Sequence, residues 1–323
     1  TALVYMPGSG GPFFRDPNAS TSAAPIIIDG IHLFRMPTFF VISGFFGALL
    51  WQKRGVLPML KNRLARLALP MTLFVILLWP PVVFAFSFGH GLVNDAVAPL
   101  SSSAAHSAAN LLPDNTMHLW FLYYLIWISV MVAAIVLVFK RLDWSWPWLL
   151  AKTREVAESP WRSLVVFGLL NGLWWLIFGW NTLPTSSAWV PAPTILLYYL
   201  LCYSVGWTLF VSKIRLAKLK DRAWTLLAIG VGCVALRTLT SSHIAQIERG
   251  AGAASLLAVA PWLMLRAVIA SAALVAFARG FTGIFLHYAS TGSKGWRYLS
   301  DSSYWVYLLH LPLAALVPAL LVE

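Results

Sequence analysis

Ile31-His32-Leu33-Phe34-Arg35-Met36-Pro37-Thr38-Phe39-Phe40-Val41-Ile42-Ser43-Gly44-Phe45-Phe46 is the stretch from which the rest of the chain is read. It is as apolar as a membrane span, yet a histidine and an arginine stand at its leading end. An ionisable side chain in hydrocarbon costs about 2.5–3.5 kcal/mol on insertion scales, so it persists where it faces a cavity, a partner or a substrate path. Three residues apart on a helix, His32 and Arg35 share a face. At a membrane boundary they could equally be a snorkelling pair that binds lipid headgroups. Pro37 frees backbone carbonyls, and Ser43-Gly44 permits close helix approach. Both suit the interior of a packed bundle.

Composition extends that reading to the whole molecule. Of 323 residues, 59% are hydrophobic and only 11% charged, with mean hydropathy +0.76. A soluble domain carries about 25% charge, so the soluble classes are excluded. The 17 Trp and 10 Tyr suit interfacial belts. The net charge of +12 does not imply nucleic acid, because the basic residues sit in short loops between apolar spans. Cys202 and Cys233 both fall inside apolar spans and read as packing residues. No metal-ligand set, phosphate-cradling glycine loop, nucleophile elbow or tandem membrane carboxylate pair is present.

The fold expected is all-α, a polytopic transmembrane helix bundle forming one domain over 1–323. Eight spans are expected near 31–50, 68–89, 118–139, 163–180, 193–212, 223–240, 256–282 and 303–322. The loops at 51–67, 140–162, 213–222 and 283–302 are basic, and those between them are nearly uncharged. Basic loops mark the cytoplasmic side. Residues 1–30 become a non-cytoplasmic segment preceding the 31–322 bundle. Both visible ends then lie outside, as if one helix were missing from each. Residues 51–66 read as a basic amphipathic stretch along the inner membrane surface. Ser101–Ser107 reads as a small polar connector.

Several further residues could carry chemistry. Arg63 and Arg66, three apart beside Lys61, suit phosphate through charge-assisted bonds, or form an ordinary basic collar. His118 opens a span in His118-Leu119-Trp120-Phe121-Leu122, where an aromatic belt is the plainer reading. Ser303, Tyr307 and His310 share a helix face at i, i+4 and i+7. His310 lies roughly 10 Å into its span, too deep to snorkel easily. Arg266 stands near mid-span, where an arginine needs a partner, an anionic ligand or a water-filled cavity. Arg237, nearer an outer end, is explained by snorkelling, and Arg279 goes with the inner basic loop.

His32-x-x-Arg35-Met36-Pro37-x-Phe39-Phe40-x-x-Ser43-Gly44-Phe45-Phe46, then Arg63-x-x-Arg66 with Pro70, His118-Leu119-Trp120-Phe121-Leu122, and Ser303-Tyr304-x-x-Tyr307-x-x-His310 together resemble the membrane acyltransferase-3 family in order and spacing. Within it they are most similar to a branch that succinylates periplasmic glucans. The resemblance implies ten helices, eight of them here, in the bacterial inner membrane. It also implies an O-acyltransferase that moves an acyl group from cytoplasmic acyl-CoA, succinyl-CoA in that branch, to a periplasmic glucan or other carbohydrate hydroxyl. No permanently bound cofactor and no metal are expected. His32, Arg35, His118 and His310 become candidate catalytic residues. Arg63, Arg66, Ser303, Tyr307 and Arg266 become candidate donor-binding residues. The family's catalytic histidine belongs near the outer end of a helix that here would end at about residues 1–6, and that histidine is not in this sequence. A transporter or flippase for an anionic or lipid-linked solute would use the same buried cations without covalent chemistry, and the residues leave that alternative open. They do not indicate an oligomeric state.

Overall fold

A computed structural model of the chain describes residues 23–93, 113, 115–142, 146–180, 183–250, 255–290 and 292–320. Residues 1–22, with the expected end of an earlier helix, and the Ser101–Ser107 connector lie outside the described residues. Within them the molecule is helical, and the one pairing of strand type is an isolated bridge between Asn115 and Ala188. The helices are α1 (Ala23–Arg54), α2 (Val56–Val93), α3 (Trp120–Arg141), α4 (Pro147–Glu158), α5 (Pro160–Ile177), α6 (Pro193–Val211), α7 (Ala223–Gly250), α8 (Ser255–Tyr288) and α9 (Lys294–Leu320). Short 3-10 turns cover Met117–Leu119 and Leu216–Lys220.

Each of the eight expected spans coincides with a helix, and six helices among the described residues are long and apolar enough to cross a membrane. The other two expected spans are α5 and α9. Polar positions such as Arg162 and Asn171 in α5, and Lys294, Arg297 and Asp301 in α9, dilute their apolar windows.

Two local expectations change. Residues 51–66 do not form a separate surface helix. Gly55, at φ +84°, ends α1 in the left-handed region that glycine enters freely, and α2 starts at Val56 and runs unbroken through Pro70, Pro80 and Pro81. At 1.5 Å per residue its 38 residues span about 57 Å, well beyond the hydrocarbon. The basic turns are thus the protruding start of a span. The expected loop at 140–162 contains α4, whose charged face the hydropathy pattern concealed.

α7 packs along α8, α1 along α6, α5 along α8, and α9 along α2. Bulky aromatics fill the centre: Phe40, Tyr124, Tyr198, Tyr199 and Tyr203 are buried. The Phe40 and Tyr199 rings stack at 4.4 Å.

Two arginines depart from their expected places. Arg237 does not snorkel. It is 6% exposed and ion-paired to Asp29, joining α7 to α1. Arg279 is not a loop cation. It is buried, and its guanidinium donates to the carbonyls of Ala157, Glu158 (3.3 Å) and Lys218 (3.1 Å), tying α8 to the end of α4 and to the Leu216–Lys220 turn.

Near that junction Glu158 accepts from the backbone and guanidinium of Arg215 at 3.0 and 2.9 Å, and from Arg154 at 3.0 Å. Arg215 first, then Arg154, holds this carboxylate down at about 2.

Candidate functional site

The leading end of α1 opens on a cavity of about 430 Å³. Asp29, His32 and Arg35 line it from α1, Trp120 from α3, Tyr199 from α6, and Leu183 and Thr185 from the segment before α6. The spacing that placed His32 and Arg35 on one face therefore brings both to one cavity. Asp29 turns its carboxylate to Arg237 at the margin. Arg35 has no carboxylate partner among the described residues. Its Nε is buried without a hydrogen bond, and it lies within electrostatic reach of Tyr199 and Tyr307.

Pro113, Asn115 and Thr116 are knit to the segment 183–192 at this end of the bundle. Thr116 donates its backbone N–H and its hydroxyl to the Ser187 carbonyl at 2.6 and 2.8 Å. Trp189 Nε1 donates to the Pro113 carbonyl at 2.9 Å, and Tyr123 Oη to the Trp189 carbonyl at 2.7 Å. Polar backbone at a membrane boundary needs such internal partners.

His118 is held just inside that roof. Met117, before it, sits at φ +49°, a strained conformation for a residue with a side chain, and donates its N–H to Asn115 Oδ1 at 2.8 Å. α9 grips His118 at two points. Tyr307 Oη donates to the His118 carbonyl at 2.8 Å, and His118 Nε2 lies 2.9 Å from the Leu308 carbonyl. A carbonyl only accepts, so the proton is on Nε2 and Nδ1 of the neutral ring carries the lone pair. Nδ1 is buried and makes no hydrogen bond.

The His310 ring stands 5.2 Å from that of His118, nearly perpendicular to it. Its Nδ1 donates to the Tyr307 carbonyl at 2.7 Å. Phe121 touches Phe40 on one side and Tyr307 on the other, and Phe40 stacks on Tyr199. An aromatic chain thus links the histidine pair to the cavity wall.

The other candidates are dispersed. Ser303 is exposed and donates to the Ser300 carbonyl at 2.7 Å, although Tyr307 and His310 on the same helix reach His118. Arg63 turns into the bundle. It donates to the Ser43 carbonyl at 2.7 Å and lies beside Tyr203. Arg66 stays exposed, its carbonyl accepting from Tyr304 Oη at 3.3 Å. Arg266 is partly buried on α8 within electrostatic reach of Glu248 and Arg237.

Sequence reasoning missed Asp29, Tyr199, Thr185 and the Leu308 carbonyl. Pro312 was a readable signal for the last, since it removes the N–H that would normally cap that carbonyl four residues earlier. Among the described residues no His, Cys, Asp and Glu group of three or more is placed to hold a metal.

A family model described as an acyltransferase domain matches residues 3–322. Over 144 residues, 44% of this chain, the sequence is 29% identical to proteins named glucans biosynthesis protein C from Salmonella paratyphi B, Salmonella agona and Salmonella dublin. The matched part spans 35% of the length of those relatives. No solved structure matches the chain.

Proposed function

The chain belongs to the acyltransferase domain family, and from that premise we propose that it is an integral membrane O-acyltransferase that esterifies a hydroxyl of a glucan or related carbohydrate. The observation that carries the reading is the buried, bare Nδ1 of His118 beside His310 and Tyr307, next to an arginine-bearing cavity. The cavity offers two aromatic planes, Trp120 and Tyr199, with donors from His32 and Arg35, a lining suited to a sugar ring and its hydroxyls.

The reaction we assign is attack of the sugar hydroxyl on the thioester carbonyl of an acyl-CoA. The new C–O bond forms as the C–S bond breaks. The histidine that the family resemblance places on an earlier helix is not in this sequence, and among the histidines present His118 is the base we assign: its Nδ1 takes the hydroxyl proton, which leaves with the thiolate as free thiol. Arg35 steadies the negative charge that gathers on the carbonyl oxygen, and binds the free carboxylate when the acyl group is dicarboxylic, as succinyl is. The donor approaches from the basic end, which we take as cytoplasmic. Arg66, with Lys61, meets its phosphates, and the acyl arm passes Tyr307 and His310. The inner membrane of a bacterium is the location this implies, and the acceptor lies on the far side.

Mass spectrometry of the glucan from cells with and without the protein tests the assignment. Acyl substitution that depends on the protein, and is lost in His118→Gln while the protein remains folded, supports it. Unchanged acyl content with altered export of the glucan would instead mark a transporter.

A further inference from the structure

His118 is held in a single tautomer by a carbonyl that its own helix leaves uncapped. In an α-helix the carbonyl of residue i accepts from the N–H of residue i+4. The Leu308 carbonyl would be capped by residue 312, and residue 312 is proline, which has no N–H. The proline ring also crowds the carbonyl four residues back and tilts it off the helix axis. His118 Nε2 takes that carbonyl at 2.9 Å.

The same device recurs where α9 meets α2. Pro70 leaves the Arg66 carbonyl uncapped, and Tyr304 Oη donates to it at 3.3 Å. The two contacts are independent, and each pairs a side chain with the carbonyl that a proline has vacated.

We propose that Pro312 is a positioning residue: by freeing the Leu308 carbonyl it fixes the proton of His118 on Nε2 and keeps Nδ1 bare. The carbonyl of an ordinary helix is already engaged and would be a poorer acceptor. An imidazole beside it would be free to exchange tautomers or rotate. With Pro312 present, the Nε2 bond costs the helix no hydrogen bond of its own. The grip of Tyr307 Oη on the His118 carbonyl fixes the backbone, and the Leu308 carbonyl fixes the ring. The tautomer itself does not depend on the proposed acyl transfer. Only the use made of the bare nitrogen rests on that reading.

The test is nitrogen-15 NMR of the full protein, labelled at histidine and held in nanodiscs near pH 8. The chain has seven histidines, and His118→Gln identifies the resonance. The wild type is expected to show His118 neutral with Nε2 protonated. Pro312→Ala restores an N–H that competes for the Leu308 carbonyl. It should give mixed or averaged tautomers at His118, and acyl transfer should fall by about tenfold or more in kcat. Replacing Pro312 by lactic acid, which puts an ester oxygen where the N–H would be, should restore both the single tautomer and the rate.

A wild-type His118 protonated on Nδ1, or a Pro312→Ala spectrum identical to wild type, overturns the proposal. So does a lactic acid variant that behaves like the alanine one. If Pro312→Ala does not fold, the wild-type and lactic acid spectra decide. An Nε2-protonated His118 that turns into a mixture of tautomers in Pro312→Ala, in a protein whose acyl transfer survives His118→Gln, upholds Pro312 and removes the acyl-transfer role given to the histidine.

Discussion

Gly44→Ala tests the packing on which the site depends. A methyl at Gly44 would stand 2.8 Å from the Tyr203 carbonyl carbon and 3.1 Å from the Trp207 nitrogen, with the Tyr203 carbonyl oxygen nearer still. Ordinary contact between carbon atoms needs about 3.5 Å, so α1 and α6 must part by more than half an ångström. Backbone is what blocks the way, and it cannot swing aside as a flexible side chain would. Overpacking of this kind costs roughly 1–3 kcal/mol, a fall in Tm on the order of 5 °C. The strain reaches the site directly. Ser43, which Arg63 holds at 2.7 Å, is the adjacent residue, and the Phe40–Tyr199 stack lies one turn away. Acyl transfer should therefore fall together with Tm. Gly206→Ala makes the reciprocal clash, with its methyl 2.7 Å from the Val41 carbonyl carbon. Because one separation of the helices relieves both clashes, the double variant should lose less than the two single losses combined. Thermal unfolding in detergent, followed by tryptophan fluorescence, measures all three variants. Gly44→Ala at wild-type Tm, or a double variant whose losses add in full, would refute the close-approach argument.

Asp29→Asn leaves Arg237 charged and buried without its carboxylate, and should destabilise the protein by about 3 kcal/mol in denaturant titration. Arg66→Glu should depress acyl transfer at unchanged Tm, whereas Arg63→Glu should also lower Tm, because Arg63 donates to the Ser43 carbonyl inside the bundle. Activity and unfolding measured on the same preparations separate the two. Glu158 is ionised more easily in the folded state than in the unfolded one, so its contribution is complete above the ordinary carboxylate value of about 4.3 and is lost as pH falls toward about 2. The Tm gap between wild type and Glu158→Gln should be widest near neutral pH and close through that acid window.

The helices were legible because apolar length alone decides them, and each expected span found its helix. The pairing of His32 with Arg35 was legible for the same local reason, since i and i+3 share a face. What hydropathy could not reveal was which distant partner a costly residue meets. Arg237 looked like a snorkelling cation until Asp29, about two hundred positions earlier in the chain, arrived beside it. Arg279 looked like part of a basic loop until three carbonyls from α4 and the Leu216–Lys220 turn closed around it. Ser303, Tyr307 and His310 share a face by arithmetic, but the helix turns Tyr307 and His310 to His118 and leaves Ser303 exposed. α4 escaped notice because its charged face reads as a loop when only apolar length is scored.

In the proposed reaction His118 offers a bare nitrogen to an acceptor hydroxyl. The most direct measurement is transfer of a radiolabelled succinyl group from its coenzyme A thioester to a glucan, with the purified protein reconstituted in liposomes, wild type against His118→Gln. Labelled glucan is expected with the wild type, and at least about a hundredfold less with the variant at matched folding. Equal labelling by the two proteins would contradict it.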